Sequence, residues 1–247
     1  ALKESTHIIS RENERFKLLS SLSSSRGIKK NGRALLGGKK IIEEALKNPR
    51  VHPEAFIASG SVPVETLSTI PLWRFSGELF QELDVSGTGS PLLLVRTPEI
   101  PLWNEKIGSC LFLPLSNPEN LGSAIRSASA FGFQKIVLLK EAAHPFLPAT
   151  IRASAGEIFR VELFTGPSVT ELKAPNLVIL DGNGMDIRKA AFPADVSLLI
   201  GMEGTGVPPN LKAQRIALPM EKGINSLNAS AAASIAMFYL RYCSPTD

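Results

Sequence analysis

The stretch SCLFLPLSNPENLGSAIRSASAFGFQKIVLL, residues 109–139, sets two short apolar runs, CLFLPL and KIVLL, on either side of a helix-like segment from Asn120 to Phe131. Apolar runs of this length without polar alternation suit strands buried on both faces, as in a parallel sheet. Parallel neighbours need a crossover between them, and the intervening segment supplies one. FRVEL (159–163), NLVILD (176–181) and VSLLIGME (196–203) repeat the strand pattern, with a further helix near Pro148 to Ser154. The alternation predicts an α/β fold, a mainly parallel sheet with helices on both faces. Ligands of such sheets sit beyond the carboxyl ends of the strands, where SNPENLG, DGNG and GMEGTG gather here.

Upstream of this alternation the pattern changes. A helix-like run from Glu12 to Leu22, a serine- and glycine-rich basic loop and a second helix from Lys39 to Lys47 precede short apolar segments at Ala55 to Ala58 and Pro91 to Val95. RTPEIPLWNEK then brings two prolines close together, a composition expected of a connector. The expected organisation is a small α/β domain over residues 1–97, a linker over 98–106 and a larger domain over 107–247.

A chain of 247 residues that is 44% apolar can bury a substantial core. No apolar run reaches the roughly 18 residues of a membrane span, and ALKESTHIISRENERFK is too polar for a secretory signal. A cytoplasmic protein with no membrane partner is expected. Two cysteines, Cys110 and Cys243, make a disulfide framework improbable and read as structural. The net charge is +4, yet residues 1–50 hold twelve of the 27 Lys and Arg and five of the 23 acids. Arg26, Lys29, Lys30, Arg33, Lys39 and Lys40 lie together with no acid between them, a group able to neutralise several phosphates.

Several chemistries are set aside by what the loops lack. Neither GMEGTG nor DGNGMD continues as GxGxxG into a helix, and the chain has no GxxxxGK[ST] and no GxSxG. His7, His52 and His144 are far apart, and no Cys or His pair has metal-ligand spacing, so no metal is expected and the histidines read as surface or packing residues. What remains are three polar clusters at strand ends. In the first, Arg126 follows Asn120 by six residues, under two helical turns. In the second, an apolar strand ends at Gly201 and places Glu203 between glycines. The third is MEKGINSLNAS before an Ala- and Met-rich helix over 229–242, where Ser226, Asn228 and Ser230 supply more hydrogen-bonding groups than one N-cap needs.

Taken together, the three clusters resemble the SpoU-type ribose 2′-O-methyltransferases of the SPOUT class. NLGSAIR matches the first motif, NxGxxxR, at Asn120, Gly122 and Arg126. IGMEGTGV matches the second at Gly201, Glu203 and Gly206, and LPMEKGINSLNAS the third at Pro219, Met220, Ser226, Leu227, Asn228 and Ser230. The N-terminal half more loosely resembles the L30e-like RNA-binding domain that precedes many such catalytic domains. Two positions depart from the pattern: Lys222 stands where the third motif has glycine, and Asn117 where an aspartate precedes the first.

The resemblance implies a C-terminal deep trefoil knot, an exception to the general avoidance of knots. It also implies S-adenosylmethionine as cofactor, held by Gly201, Leu218 and Leu227 with Met220 as a pocket wall. It makes Arg126 the central catalytic residue, with Asn120, Glu203, Ser226 and Asn228 orienting it, the nucleotide or the cofactor. Its further implications are a homodimer and an RNA partner, ribosomal in preference to transfer RNA, with no DNA expected. Two other readings compete: an RNA-binding or ribosome-assembly protein that keeps the fold without catalysis, which intact motif residues oppose, and a dinucleotide enzyme, which the missing GxGxxG opposes.

Overall fold

The computed structural model of the chain describes residues 7–60, 62, 69–202, 206–224 and 226–244. It divides into two units, Ala1–Glu99 with His144–Phe159, and Ile100–Ala143 with Arg160–Asp247.

In the first unit the chain runs β1 (His7–Ile8), α1 (Glu14–Ser21), α2 (Ser25–Asn31), β2 (Arg33–Leu36), α3 (Lys39–Lys47), β3 (His52–Ser59), β4 (Leu72–Phe75), α4 (Gly77–Leu83) and β5 (Leu92–Arg96). The strands form one sheet in the order β1-β4-β3-β5-β2. β1, β4 and β3 run parallel, while β5 is antiparallel to both β3 and β2. The basic segment after Leu22 is not the expected loop. Ser24 caps α2 by accepting a hydrogen bond from the Gly27 N–H, and Gly32 ends that helix in the left-handed conformation that glycine adopts without strain. Arg33–Leu36 then pairs with β5.

The second unit contains β6 (Leu111–Leu113), α5 (Pro118–Ala130) and β7 (Lys135–Leu138). Between β7 and the next strand the chain passes through α6 (Pro148–Ala153), and this stretch belongs to the first unit, a division the even alternation of the sequence did not announce. β8 (Glu162–Thr165), β9 (Leu177–Asp186), β10 (Ser197–Ile200), β11 (Gln214–Ala217) and α7 (Ala229–Tyr242) follow. β8 starts three residues later than FRVEL suggested, because Glu157–Phe159 forms a 3-10 turn instead.

The six strands are all parallel, in the order β11-β9-β10-β6-β7-β8. Phe112, Val137, Ile179 and Leu199 belong to one buried cluster. Their neighbours Leu111, Ile136, Val178 and Leu198 point to the opposite face and are buried too. Burial on both faces is why these strands read as continuous apolar runs. The chain leaves β6 toward β7 and β8 on one side and returns beside β6 with β10 on the other. This reversal sets a crevice at the carboxyl ends of β6 and β10. No described helix is long and apolar enough to cross a membrane.

Two helices frame that crevice. Asn117 caps α5, accepting from the Glu119 and Asn120 N–H groups, and Pro118 and Glu119 suit its first turn. The amide at position 117 thus performs the capping for which an aspartate would also serve. α7 packs against α5, and the Ser234 hydroxyl donates to Ser127 at 2.7 Å across the contact. Small residues at Gly122, Ala124 and Ala128 of α5 and at Ala233 and Ala236 of α7 are buried.

Candidate active site

A cleft of about 390 Å³ opens at the carboxyl ends of β9 and β10. Four stretches line it, and three of them carry the motif residues: Asn120 from α5, the segment from Ile200 to Met202 with Gly206, and Leu218 to Ala232 in part. Of the residues singled out by sequence, Asn120, Gly201, Leu218, Met220, Ser226, Leu227 and Asn228 all face this one space.

Asn228 joins two of these stretches. Its Oδ1 accepts from the Ser230 and Ala231 N–H groups, at 3.0 and 3.2 Å, and so caps α7. Its Nδ2 donates to Asn120 Oδ1 at 2.9 Å, a bond between residues 108 apart in the chain. The Ser230 hydroxyl donates back to Asn228 Oδ1 at 2.7 Å. The surplus of polar groups before α7 is therefore divided: Asn228 caps the helix and ties it to α5, Ser230 fixes the Asn228 amide, and Ser226 lines the cleft.

The walls explain the residue types. At Gly201 a Cβ would stand 2.9 Å from the Leu180 carbonyl oxygen, so the strand end admits only bare backbone. Met220 and Leu227 are 41% and 44% exposed although both are large and apolar. Apolar side chains left open inside a cleft suit a ligand with an apolar face. Gly206, at φ +69°, sits in the left-handed region. Glu203 lies outside the described residues.

Arg126 does not line this cleft. It stands exposed on α5 and, among the described residues, makes no hydrogen bond or ion pair. Six residues of helix carry it about 9 Å along the axis and roughly 120° around from Asn120, which places the two on different faces. Lys222 is exposed in the turn after Met220.

A fourth stretch belongs to the DGNG loop, which the strand-end pattern marked without giving its residues a role. Leu180, Asp181 and Gly182 of β9 also line the cleft, and the signal that marks them is an apolar strand ending in Asp-Gly. Arg215 on β11, which received no role, donates to Asp181 and to the Pro208 carbonyl.

In the first unit Arg26, Lys29, Lys30, Lys39 and Lys40 are exposed. Arg33 is a correction to that group: it is half-buried and bonded to Glu54, which also receives Arg96. Burial works to raise the Glu54 pKa, and hydrogen bonds from Arg33 and Arg96 outweigh it, leaving the carboxyl below its ordinary value. Adjacency in sequence does not show that an acid from β3 has neutralised the arginine. His144 is half-buried beside Phe146 and pushed down to about 4 by burial and by Lys29, so it is neutral at pH 7 and packs. Burial pushes the Cys110 thiol up, as a core residue requires, whereas Cys243 is exposed at the end of α7 rather than structural. Among the described residues no three His, Cys, Asp or Glu side chains converge as a metal site.

Known proteins give this arrangement a context. The model of the SpoU rRNA Methylase family matches residues 111–238. A protein of Syntrophobacter fumaroxidans named ribosomal RNA small subunit methyltransferase G 2 is 39% identical over 94% of this chain, which spans only 48% of that protein's length. The 23S rRNA (guanosine(2553)-2′-O)-methyltransferase RlmP of Bacillus subtilis is 27% identical, over 95% of this chain and 98% of its own. An AdoMet-bound rRNA methyltransferase from Sinorhizobium meliloti superposes with a TM-score of 0.81 at 19% identity, over 99% of this chain and 100% of its own. The SpoU methyltransferase AviRb from Streptomyces viridochromogenes, in complex with AdoMet, gives 0.80 at 24%, over 95% and 100%. At those identities the superpositions speak for the fold. With the family match running from β6 into α7 and taking in every stretch that lines the cleft, the chain belongs to the SpoU rRNA Methylase family.

Proposed function

We propose that the chain is an S-adenosylmethionine-dependent ribose 2′-O-methyltransferase acting on structured RNA, ribosomal RNA in preference to transfer RNA. The observation that carries this reading is the Asn228–Asn120 hydrogen bond, which joins the first and third motif stretches on one cleft. The near full-length likeness to RlmP supports the ribose 2′-hydroxyl as acceptor. The name of the Syntrophobacter protein belongs to a chain about twice as long and does not decide the substrate.

The residues present fit the cofactor. The cleft volume lies in the range of about 300 to 1,000 Å³ common to small-molecule sites, and its lining is mostly apolar with a few polar groups. Gly201, Leu218 and Leu227 offer backbone groups to an adenosine, and Met220 offers a wall. When bound, S-adenosylmethionine supplies an electrophilic methyl group on a sulfonium. Asn120 and Asn228, each immobilised by the other, orient the target nucleotide together with Ser226 and Glu203. A guanidinium offers a planar fork of donors and no acceptor, so the part of Arg126 is to hold the phosphate next to the target ribose and stabilise negative charge developing on the 2′-oxygen.

Two features of the second unit enter the same proposal. Exposed Phe238 and Tyr242 on α7 cluster with Phe131, at ring separations of 5.8 and 6.4 Å, and Ile235 is exposed on the same helix. This apolar group supports a homodimer through α7. The packing of α7 on α5 and the position of β11 outside β9 support a C-terminal knot of the kind implied by the motifs.

We assign RNA docking to the first unit as an L30e-like domain. The start of α3 has no side-chain cap and carries Lys39 and Lys40, charges unfavourable there unless an anion approaches. Lys29→Glu with Lys30→Glu is expected to weaken RNA binding and reduce the slope of log affinity against log salt by about 2, leaving cofactor affinity unchanged. Equal RNA affinity across a salt series removes this role.

The direct test of function is calorimetry with S-adenosylmethionine, followed by incubation of labelled cofactor with unmodified total RNA and mapping of riboses that resist alkaline cleavage. Binding, with label at a discrete ribose, is the expected result. Absence of binding at millimolar cofactor would sink the reading.

A further inference from the structure

The cleft wall formed by β9 is built by an irregularity. β11 pairs with β9 in two registers: Arg215 stands opposite Ile179, and the next residue, Ile216, stands opposite Met185. Leu180 to Gly184 therefore have no register partner on β11 and make an excursion from that ladder, although Gly184 comes back hard against the backbone of Arg215 and Ile216. The first three residues of the excursion, Leu180, Asp181 and Gly182, line the cleft. Leu180 keeps its place beside Ile200 of β10, but from Asp181 to Gly184 no register partner on β11 holds the wall, and something else must.

Arg215 is the residue placed to do this. Its Nη1 donates to Asp181 Oδ2, and its Nη2 donates to the Pro208 carbonyl at 2.7 Å. Asp181 Oδ1 accepts the Asn183 N–H at 3.1 Å, which closes the turn inside the excursion. The two charged side chains are 22% and 12% exposed, so the pair is shielded from screening by solvent. One planar guanidinium thus bonds Asp181 in the wall from β9 and Pro208, two residues past Gly206 in the loop that follows β10 and lends Ile200 to Met202 and Gly206 to the same space. A lysine, with a point charge, cannot meet a carboxylate and a carbonyl in one fixed plane. Withdrawing charges from water is costly, and replacing such a pair with apolar residues is often neutral for stability. The geometry therefore gains more in positioning than in folding energy.

We propose that Arg215 is a positioning residue for the cleft: by clamping Asp181 and Pro208 it sets the separation of the two walls, and through it the affinity for cofactor. The inference rests on the reading of this cleft as the cofactor site. It concerns the cofactor and not the RNA, since Asp181, which Arg215 holds, lines the cleft.

The test compares wild type with Arg215→Met, Arg215→Lys, Asp181→Asn and the Arg215→Met/Asp181→Asn double variant. The readouts are S-adenosylmethionine Kd by calorimetry, KM for cofactor, kcat at saturating cofactor, RNA affinity and Tm. Arg215→Met is expected to raise Kd and KM for cofactor about tenfold, with kcat and RNA affinity near wild type, because a small misplacement of a wall acts on binding. Arg215→Lys should lie between the two, since it keeps the charge beside Asp181 and loses the Pro208 bond. The double variant should lose less than the sum of the single losses. Unchanged cofactor Kd in Arg215→Met overturns the inference, as does a parallel fall of kcat, RNA affinity and Tm, which marks a purely structural role. Should Arg215→Met fail to fold, Arg215→Lys and Asp181→Asn carry the same comparison. If wild type itself does not bind the cofactor, the cofactor reading falls and this inference with it; if wild type binds and every variant binds as tightly, only the inference falls.

Discussion

Arg126→Ala is expected to lower kcat by about 10² to 10³-fold while leaving the cofactor Kd unchanged, the size of effect seen when one donor to a developing oxyanion is removed. The separation of the two readouts follows from where the residue stands. Arg126 is exposed on α5, away from the cleft lining, so its loss removes no contact to the cofactor. Its guanidinium has no bond among the described residues and is free to take a phosphate. A guanidinium has donors and no acceptor, so the contribution expected of it is electrostatic. Arg126→Lys should recover part of the rate, because it restores the charge without the bidentate geometry. Methylation by Arg126→Ala at the wild-type rate, measured with saturating RNA and cofactor, would show the assignment to be wrong.

The position of Arg126 also shows what a linear motif hides. NxGxxxR places Asn120 and Arg126 in one pattern, but helical geometry turns them to different faces. Asn120 bonds Asn228, 108 residues away, and Arg126 points to solvent. Of the helices, α3 and α7 were the most legible. Both begin and end where expected, because Asn228 caps one and the apolar spacing of both is helical. The buried strands β6, β7 and β10 were legible as apolar runs for the same kind of reason: burial on both faces leaves no polar alternation. β11 was not, because only Ile216 of its four residues is buried and its position is set by β9. α2 and β2 were read as a loop, since serine, glycine and lysine carry little local preference for either state and the decisive partners are Ser24 as cap and β5 as neighbour. The candidate site was legible wherever a residue type served the cleft directly, as at Gly201, Met220 and Asn228. The DGNG loop was legible as a strand end, but the tie from Arg215 to Asp181 escaped because an ion pair between strands leaves no spacing in the chain.

Gly184→Ala should produce the second large effect, and it arises from the same excursion of β9. A Cβ at Gly184 would stand 2.4 and 2.5 Å from the Ile216 carbonyl carbon and nitrogen and 2.6 Å from the Arg215 carbonyl carbon. All three are backbone atoms, so no change of rotamer relieves the contact. Either β11 moves away from β9 or the excursion shifts toward the cleft. Overpacking of this kind costs typically about 1 to 3 kcal/mol, and rigid backbone on the opposing side places Gly184→Ala at the upper end or beyond. For a chain of this size each kcal/mol lowers Tm by about 2 to 4 °C. Because Arg215 adjoins Ile216, displacement of β11 also carries the guanidinium away from Asp181 and Pro208, and cofactor binding should weaken together with stability. Gly182, two residues earlier, is the control: nothing lies within 4 Å of a Cβ built there, and Gly182→Ala should melt with wild type. Calorimetric melting of the two variants decides the matter, and a Gly184→Ala protein with the Tm of wild type would mean that β11 is not held against β9 as closely as these distances require.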